Sequence, residues 1–151
     1  ERAIFFAKGV VETIKKLNWS PDIIHVHGWI ASLLPLYLKE YYKDEPLFNN
    51  SKVVVSIYAD GIKGKLDSKI VKKIKFDEIE SKTLDVLNDA TYLNLFKNAV
   101  LNSDGIVLAG EKLDETILKL VNSTKKPILK YGFNEGFKDE YLNFYKTKIL
   151  N

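Results

Sequence analysis

The chain has 151 residues, of which 46% are hydrophobic, 12% aromatic and 28% charged, a balance that excludes disorder, collagen and a simple coiled coil. It has no cysteine, which excludes disulfides, zinc–thiolate sites and a cysteine nucleophile; a chain of this size buries about two thirds of its unfolded surface and folds without such staples. The 23 basic and 20 acidic residues leave a net charge of +3, too near balance to point to nucleic acid.

Ala3, Ile4, Ala7, Val10, Val11, Ile14 and Leu17 recur at helical spacing and predict a helix from Arg2 to Leu17. Asn18 is a C-terminal stop, and Ser20-Pro21-Asp22 is turn chemistry. Ile23-Ile24-His25-Val26-His27, bounded by Asp22 and Gly28, reads as a buried parallel strand. Ile30 to Tyr42 reads as a helix in which Pro35 is tolerable only near the start. Asp44 to Ser51 is a polar connection, and the β-branched run Val53 to Tyr58 is a second strand.

Lys63, Lys65, Lys69, Lys72, Lys73 and Lys75 then interleave with Ile62, Leu66, Ile70 and Ile74 as an amphipathic basic helix or lid. This run fits a solvated helix face, and it also fits a surface for phosphate or an acidic partner; Asp77, Glu78 and Glu80 partly neutralise it. Asp77 to Leu87 and Thr91 to Leu101 look helical, Gly105 to Ala109 is a third strand, and Leu113 to Val121 is a helix. Pro127 to Tyr131 is a short fourth strand, and Asp139 to Leu150 closes the chain as a helix with Leu142, Tyr145 and Ile149 on its apolar side.

Strands alternating with helices predict one α/β domain over residues 1–151, with a parallel sheet covered on both faces and right-handed crossovers. The longest apolar stretch, Ile30 to Leu38, falls short of the roughly 20 residues a membrane helix needs. No secretory signal is visible, so the cytoplasm is the expected compartment, without a membrane or nucleic-acid partner. The chain opens on a helix at Glu1 without an initiator methionine, as expected of a piece of a longer protein.

In such sheets ligands bind at the carboxyl ends of the strands. The first end, His25-Val26-His27-Gly28-Trp29, carries both histidines of the chain. Two residues apart on a strand, they point to one side. They fit a ligand-facing rim, and they equally fit a pair satisfied by hydrogen bonds in the sheet with Trp29 packed under the next helix. No acidic third ligand lies nearby in sequence, so no metal is expected. At the second end Tyr58 and Asp60 can share a cleft, although Asp60-Gly61 is also an ordinary turn pair. The third end, Gly110-Glu111, lacks the glycine spacing of a phosphate loop. That argues against a dinucleotide-binding domain and a P-loop enzyme, and no cofactor is expected.

Trp19-Ser-Pro-Asp-Ile-Ile-His-Val-His-Gly-Trp29, followed by Ser32-Leu-Leu-Pro-Leu-Tyr-Leu38, resembles bacterial glycogen synthases and plant starch synthases. That family carries W-x-P-D-[IV]-[IV]-H-x-H-D-W and then G-L-x-P-x-Y-L. Lys52 to Tyr58, with Gly64 downstream, is similar to K-V-V-F-T-I-H-N-L-A-Y-Q-G, and Ser103 to Ala109 to A-D-x-V-T-T-V-S. The resemblance spans residues 2–117. It implies a Rossmann-like, doubly wound three-layer α/β/α fold, the later part of the acceptor-side domain of a two-domain GT-B enzyme. It also implies transfer of glucose from ADP-glucose to an α-1,4-glucan, with His25, His27, Trp29, Tyr58 and Asp60 as the sugar-facing set. The family's K-x-G-G-L motif and its C-terminal nucleotide domain are missing, so a partner domain or subunit is implied for ordinary activity.

The departures fall on reactive positions. The H-D-W aspartate is Gly28 here, the T-I-H-N histidine is Tyr58, and the asparagine after it is Ala59. Glycine offers no carboxylate, and a phenol titrating near 10 does not replace an imidazole. Losing one polar group aimed at a transition state costs about 10²–10³ in rate. The resemblance therefore implies impaired or absent transfer, or a sugar-, glucan- or protein-binding module that retains the fold.

Overall fold

β1 (Ile23–His27), β2 (Lys52–Ile57), β3 (Gly105–Leu108) and β4 (Ile128–Lys130) lie side by side in chain order as one all-parallel sheet. The computed structural model describes residues 1–59, 61, 64–67, 69–79, 82–130 and 136–151. Right-handed crossovers that always step the same way must put their helices on one face of the sheet. That face carries the main core. Ile24, Val26, Val53, Val55, Ile57, Ile106 and Leu108 pack there with α1 (Arg2–Lys16), α2 (Leu34–Glu40), α3 (Ile70–Lys75), α4 (Tyr92–Leu101) and α5 (Glu115–Ser123).

The opposite face is thinner. Val54, Val107 and Ala109 meet Phe144 and Ile149 from α6 (Phe137–Phe144) and the π-helical turn that continues it to Ile149. Gly105 lies directly under Ile149, where any Cβ would collide with that side chain. Both faces of the sheet are thus covered, as the alternating pattern requires, but unequally. Among the described residues no helix is long and apolar enough to cross a membrane.

Local chemistry explains most boundaries. α1 stops because Asn18 adopts a positive φ of 48°, while the Asn18 and Trp19 amides donate to the Lys15 and Ile14 carbonyls. Thr91 and Asp114 cap α4 and α5 by accepting from the Asn94 and Thr116 amides at 3.3 and 2.7 Å. The helix expected over Ile30 to Tyr42 is two pieces, a 3₁₀ turn at Trp29–Ala31 and then α2, with Pro35 in its first turn.

The helix expected from Asp77 to Leu87 is corrected. Glu78 turns at φ 58°, which an α-helix does not accommodate, and Lys82–Asp89 winds as 3₁₀. Among the described residues of the lysine-rich run the helical part is Ile70–Lys75, with Ile70, Val71 and Ile74 buried. Ile62, Lys63, Glu80 and Tyr131 lie outside the described residues.

Lys126 closes the far end of α4. Its Nζ donates to the Val100, Leu101 and Ser103 carbonyls at 2.5, 3.0 and 2.6 Å. Burial, with the nearby charge of Lys39, lowers its pKa to about 8. Cations at a helix C-terminus stabilise it, and without Lys126 the Leu101 and Ser103 carbonyls would need new partners, whereas Val100 keeps the Ser103 amide and hydroxyl. Lys126→Met is expected to cost about 1–2 kcal/mol, read as a lower urea midpoint at unchanged m-value. An unmoved midpoint would show that water satisfies the carbonyls equally well.

Candidate functional site

Parallel pairing sets His25 opposite Val54 and His27 opposite Ser56, so both imidazoles stand on the thin face of the sheet. The rings stack with centroids 4.1 Å apart and a tilt of 37°. The His25 Nδ1 meets the Tyr145 hydroxyl, and its Nε2 meets Ser56 Oγ at 2.8 Å. Both nitrogens are thus committed within the protein. Burial, helped by the neighbouring His27, pushes the His25 pKa down to about 3, so this ring is neutral at ordinary pH. For His25 the geometry matches a structurally satisfied histidine.

His27 differs. Its Nδ1 lies 2.7 Å from the Tyr58 hydroxyl, while its Nε2 makes no hydrogen bond among the described residues. Burial lowers its pKa as well. The ring is exposed, held by its stack on His25 and its bond to Tyr58. With Nδ1 engaged, Nε2 is the nitrogen left for a ligand: it donates in the tautomer where Tyr58 donates to Nδ1, and accepts in the other.

The end of β2 is fixed from behind. The Tyr58 carbonyl accepts from the Tyr92 hydroxyl at 2.7 Å. The neighbouring Ala59 is backed by Gly110, where an added Cβ would stand 2.7 Å from the Ala59 amide nitrogen. Gly110, the expected third strand end, therefore serves close packing of two loops.

His25, His27, Tyr58 and Ala109 floor an open hollow of about 760 Å³, within the range of small-molecule sites. Its other wall is α6 and the turn after it: Phe137, Lys138, Tyr141, Leu142 and Tyr145. Among the described lining residues none is a carboxylate. Also among the described residues, no group of three or more His, Cys, Asp or Glu is placed to hold a metal ion. What the described lining presents to the hollow is ring surface, one imidazole nitrogen and the Lys138 side chain. The hollow lacks an acid–base pair on the described lining.

Of the five residues expected together, three meet here: His25, His27 and Tyr58. Trp29 does not. It packs with the main core and lines a separate hollow of about 170 Å³ with Glu1, Leu66 and Lys73. The cause is Gly28, whose φ of 73° and ψ of 168° turn the chain away from the line of β1 in a conformation nearly restricted to glycine. Asp60 lies outside the described residues. Sequence reading missed the α6 wall. The available signal was the spacing Phe137, Tyr141, Tyr145, an aromatic every fourth residue along one helix face.

A family model described as the starch synthase catalytic domain matches residues 1–125. The chain is 36% identical over 118 residues to a glycogen synthase of Chlorobium luteolum, covering 78% of this chain and 24% of that protein. It is 44% identical over 79 residues to one of Chlorobium phaeovibrioides, covering 52% of this chain and 16% of that protein. One of Pelodictyon phaeoclathratiforme aligns with all 151 residues at 32% identity, over 29% of its own length. The chain thus spans about a quarter of the length of the curated relatives it matches.

Proposed function

Because this chain belongs to the starch synthase catalytic-domain family, we propose that the carboxyl ends of β1 and β2 form a sugar-facing wall that binds α-glucan or ADP-glucose but no longer supports glucosyl transfer. The observation that carries the reading is the His27–Tyr58 pair. His27 keeps the family's residue type and leaves Nε2 toward a hollow of about 760 Å³. Tyr58 takes the place where the resemblance puts a histidine, and its hydroxyl is already bonded to His27 at 2.7 Å. A phenol tied to a neighbouring ring holds that ring for binding and adds no basic group beside a reacting carbon.

The test uses the full chain with ADP-glucose and maltoheptaose. Expected are no ADP release above a boiled control and a measurable maltoheptaose isotherm by calorimetry, weakened about tenfold or more in His27→Ala. Sustained ADP release would overturn the loss of transfer, and an isotherm indifferent to His27 would overturn the wall. Tyr58→His is the informative restoration. Gly28→Asp is a poor one, because the Gly28 backbone would strain any other residue by about 1–3 kcal/mol.

A further inference from the structure

The match to the family model ends at residue 125, yet the hollow is only half built by residues before that point. The rest is α6, and its lining is aromatic. Phe137 and Tyr141 sit one helical turn apart and face the His27–Tyr58 floor across the hollow. Tyr141 is 5.7 Å from the His25 ring at an interplanar angle of 33°, and 6.0 Å from Tyr145. Imidazoles, phenols and a phenyl ring therefore line one open hollow and offer it ring surface.

The charge is as telling as the shape. His25 is neutral, and His27 is shifted away from its cation by burial. Among the described lining residues the one that is charged at neutral pH is Lys138, an exposed side chain on the α6 wall. A nucleotide sugar needs its diphosphate met by several donors or cations. A pyranose needs an apolar ring face for its axial C–H groups, which carry slight positive charge toward the negative face of an aromatic ring, and a donor or acceptor for its hydroxyls.

Resting on the proposed sugar-facing wall, we infer that α6 is the second wall of the same site, that Tyr141 and Phe137 are its ligand-stacking residues, and that the site is selective for the uncharged glucan over the nucleotide sugar. His27 Nε2 is the polar contact, and Tyr145 holds the segment in place by bonding His25. The arrangement makes the C-terminal segment a binding element of this chain as well as a cover for the sheet.

The experiment titrates the full chain with maltoheptaose and, separately, with ADP-glucose, by calorimetry. Wild type is expected to bind maltoheptaose at least tenfold more tightly than ADP-glucose. Tyr141→Ala should weaken maltoheptaose about tenfold, Tyr141→Phe should retain it, and Phe137→Ala should weaken it severalfold. A loss in Tyr141→Ala that Tyr141→Phe restores identifies the ring face as the contact. Should Tyr141→Ala lose its cooperative thermal transition, the half-exposed Phe137 carries the same test. If His27→Ala weakens binding while Phe137→Ala and Tyr141→Ala do not, the α6 wall falls and the sugar-facing wall stands. If wild type binds neither sugar, both fall, and equal or tighter binding of ADP-glucose overturns the selectivity.

Discussion

Replacing His25 with asparagine is expected to flatten the acid side of the stability curve. The folded pKa of His25 is about 3 against an ordinary value of 6.5. Between those values the unfolded chain holds a proton that the folded chain refuses. Stability is therefore fully present above pH 6.5, declines as pH falls, and levels off below about 3. The slope approaches about 1.4 kcal/mol per pH unit for one proton. Carboxylates dominate below about pH 5, so the window that isolates the histidines is pH 6.5 to 5. His27, also held down by burial, adds a slope of the same sign, so H25N removes part of it.

At pH 7 the substitution has its own cost, since Ser56, fully buried, and the Tyr145 hydroxyl both lose their imidazole partner. Urea titrations of wild type and H25N at pH 7, 6 and 5 should converge as the pH drops. Parallel curves would mean that the ring is solvated, and the account of a sheet-embedded neutral His25 would fail.

The same contrast shows what was legible in the residues. β1 and β2 are runs of β-branched side chains between turn residues, and local chemistry alone places them within a residue of their observed ends. That His25 and His27 share a face follows from the two-residue period of a strand. That Trp29 leaves them does not, because it depends on one backbone torsion at Gly28. The partner of His25 comes from Tyr145, 120 residues away, a pairing no local pattern encodes. The stripe Phe137, Tyr141, Tyr145 was visible as spacing, but the face it would meet was not. The 3₁₀ path of Lys82–Asp89 was hidden because its apolar positions also fit an α-helix, and the turn at Glu78 that interrupts the expected helix has no local signal.

Asp77 is the sharpest case. In sequence it reads as a charge that dilutes the lysine-rich run. In the fold it pairs with a lysine from outside that run and joins three elements. Its Oδ1 lies 2.6 Å from Lys8 Nζ on α1, and its Oδ2 accepts from the Tyr37 hydroxyl on α2 at 2.7 Å. Tyr37 is 0% exposed, and burial together with the Asp77 carboxylate raises its phenol well above the usual range. Lys8 also sits 4.8 Å above the Tyr41 ring. Asp77→Ala strips the only acceptor that the buried hydroxyl has among the described residues and leaves Lys8 without its ion pair. We expect a loss of about 3 kcal/mol. Most of it belongs to the orphaned hydroxyl, because Lys8 is 35% exposed and its ion pair is partly screened by water.

A double-mutant cycle separates the two contributions. Tyr37→Phe alone should cost about 1 kcal/mol, since Asp77 keeps Lys8. In the Asp77→Ala/Tyr37→Phe double variant no hydroxyl is stranded, so its loss should fall below the sum of the single losses by about 1 kcal/mol or more. Urea denaturation of the four proteins measures this directly. Additive losses would mean that water reaches the Tyr37 hydroxyl once the carboxylate is gone, and that Asp77 acts only as a surface charge.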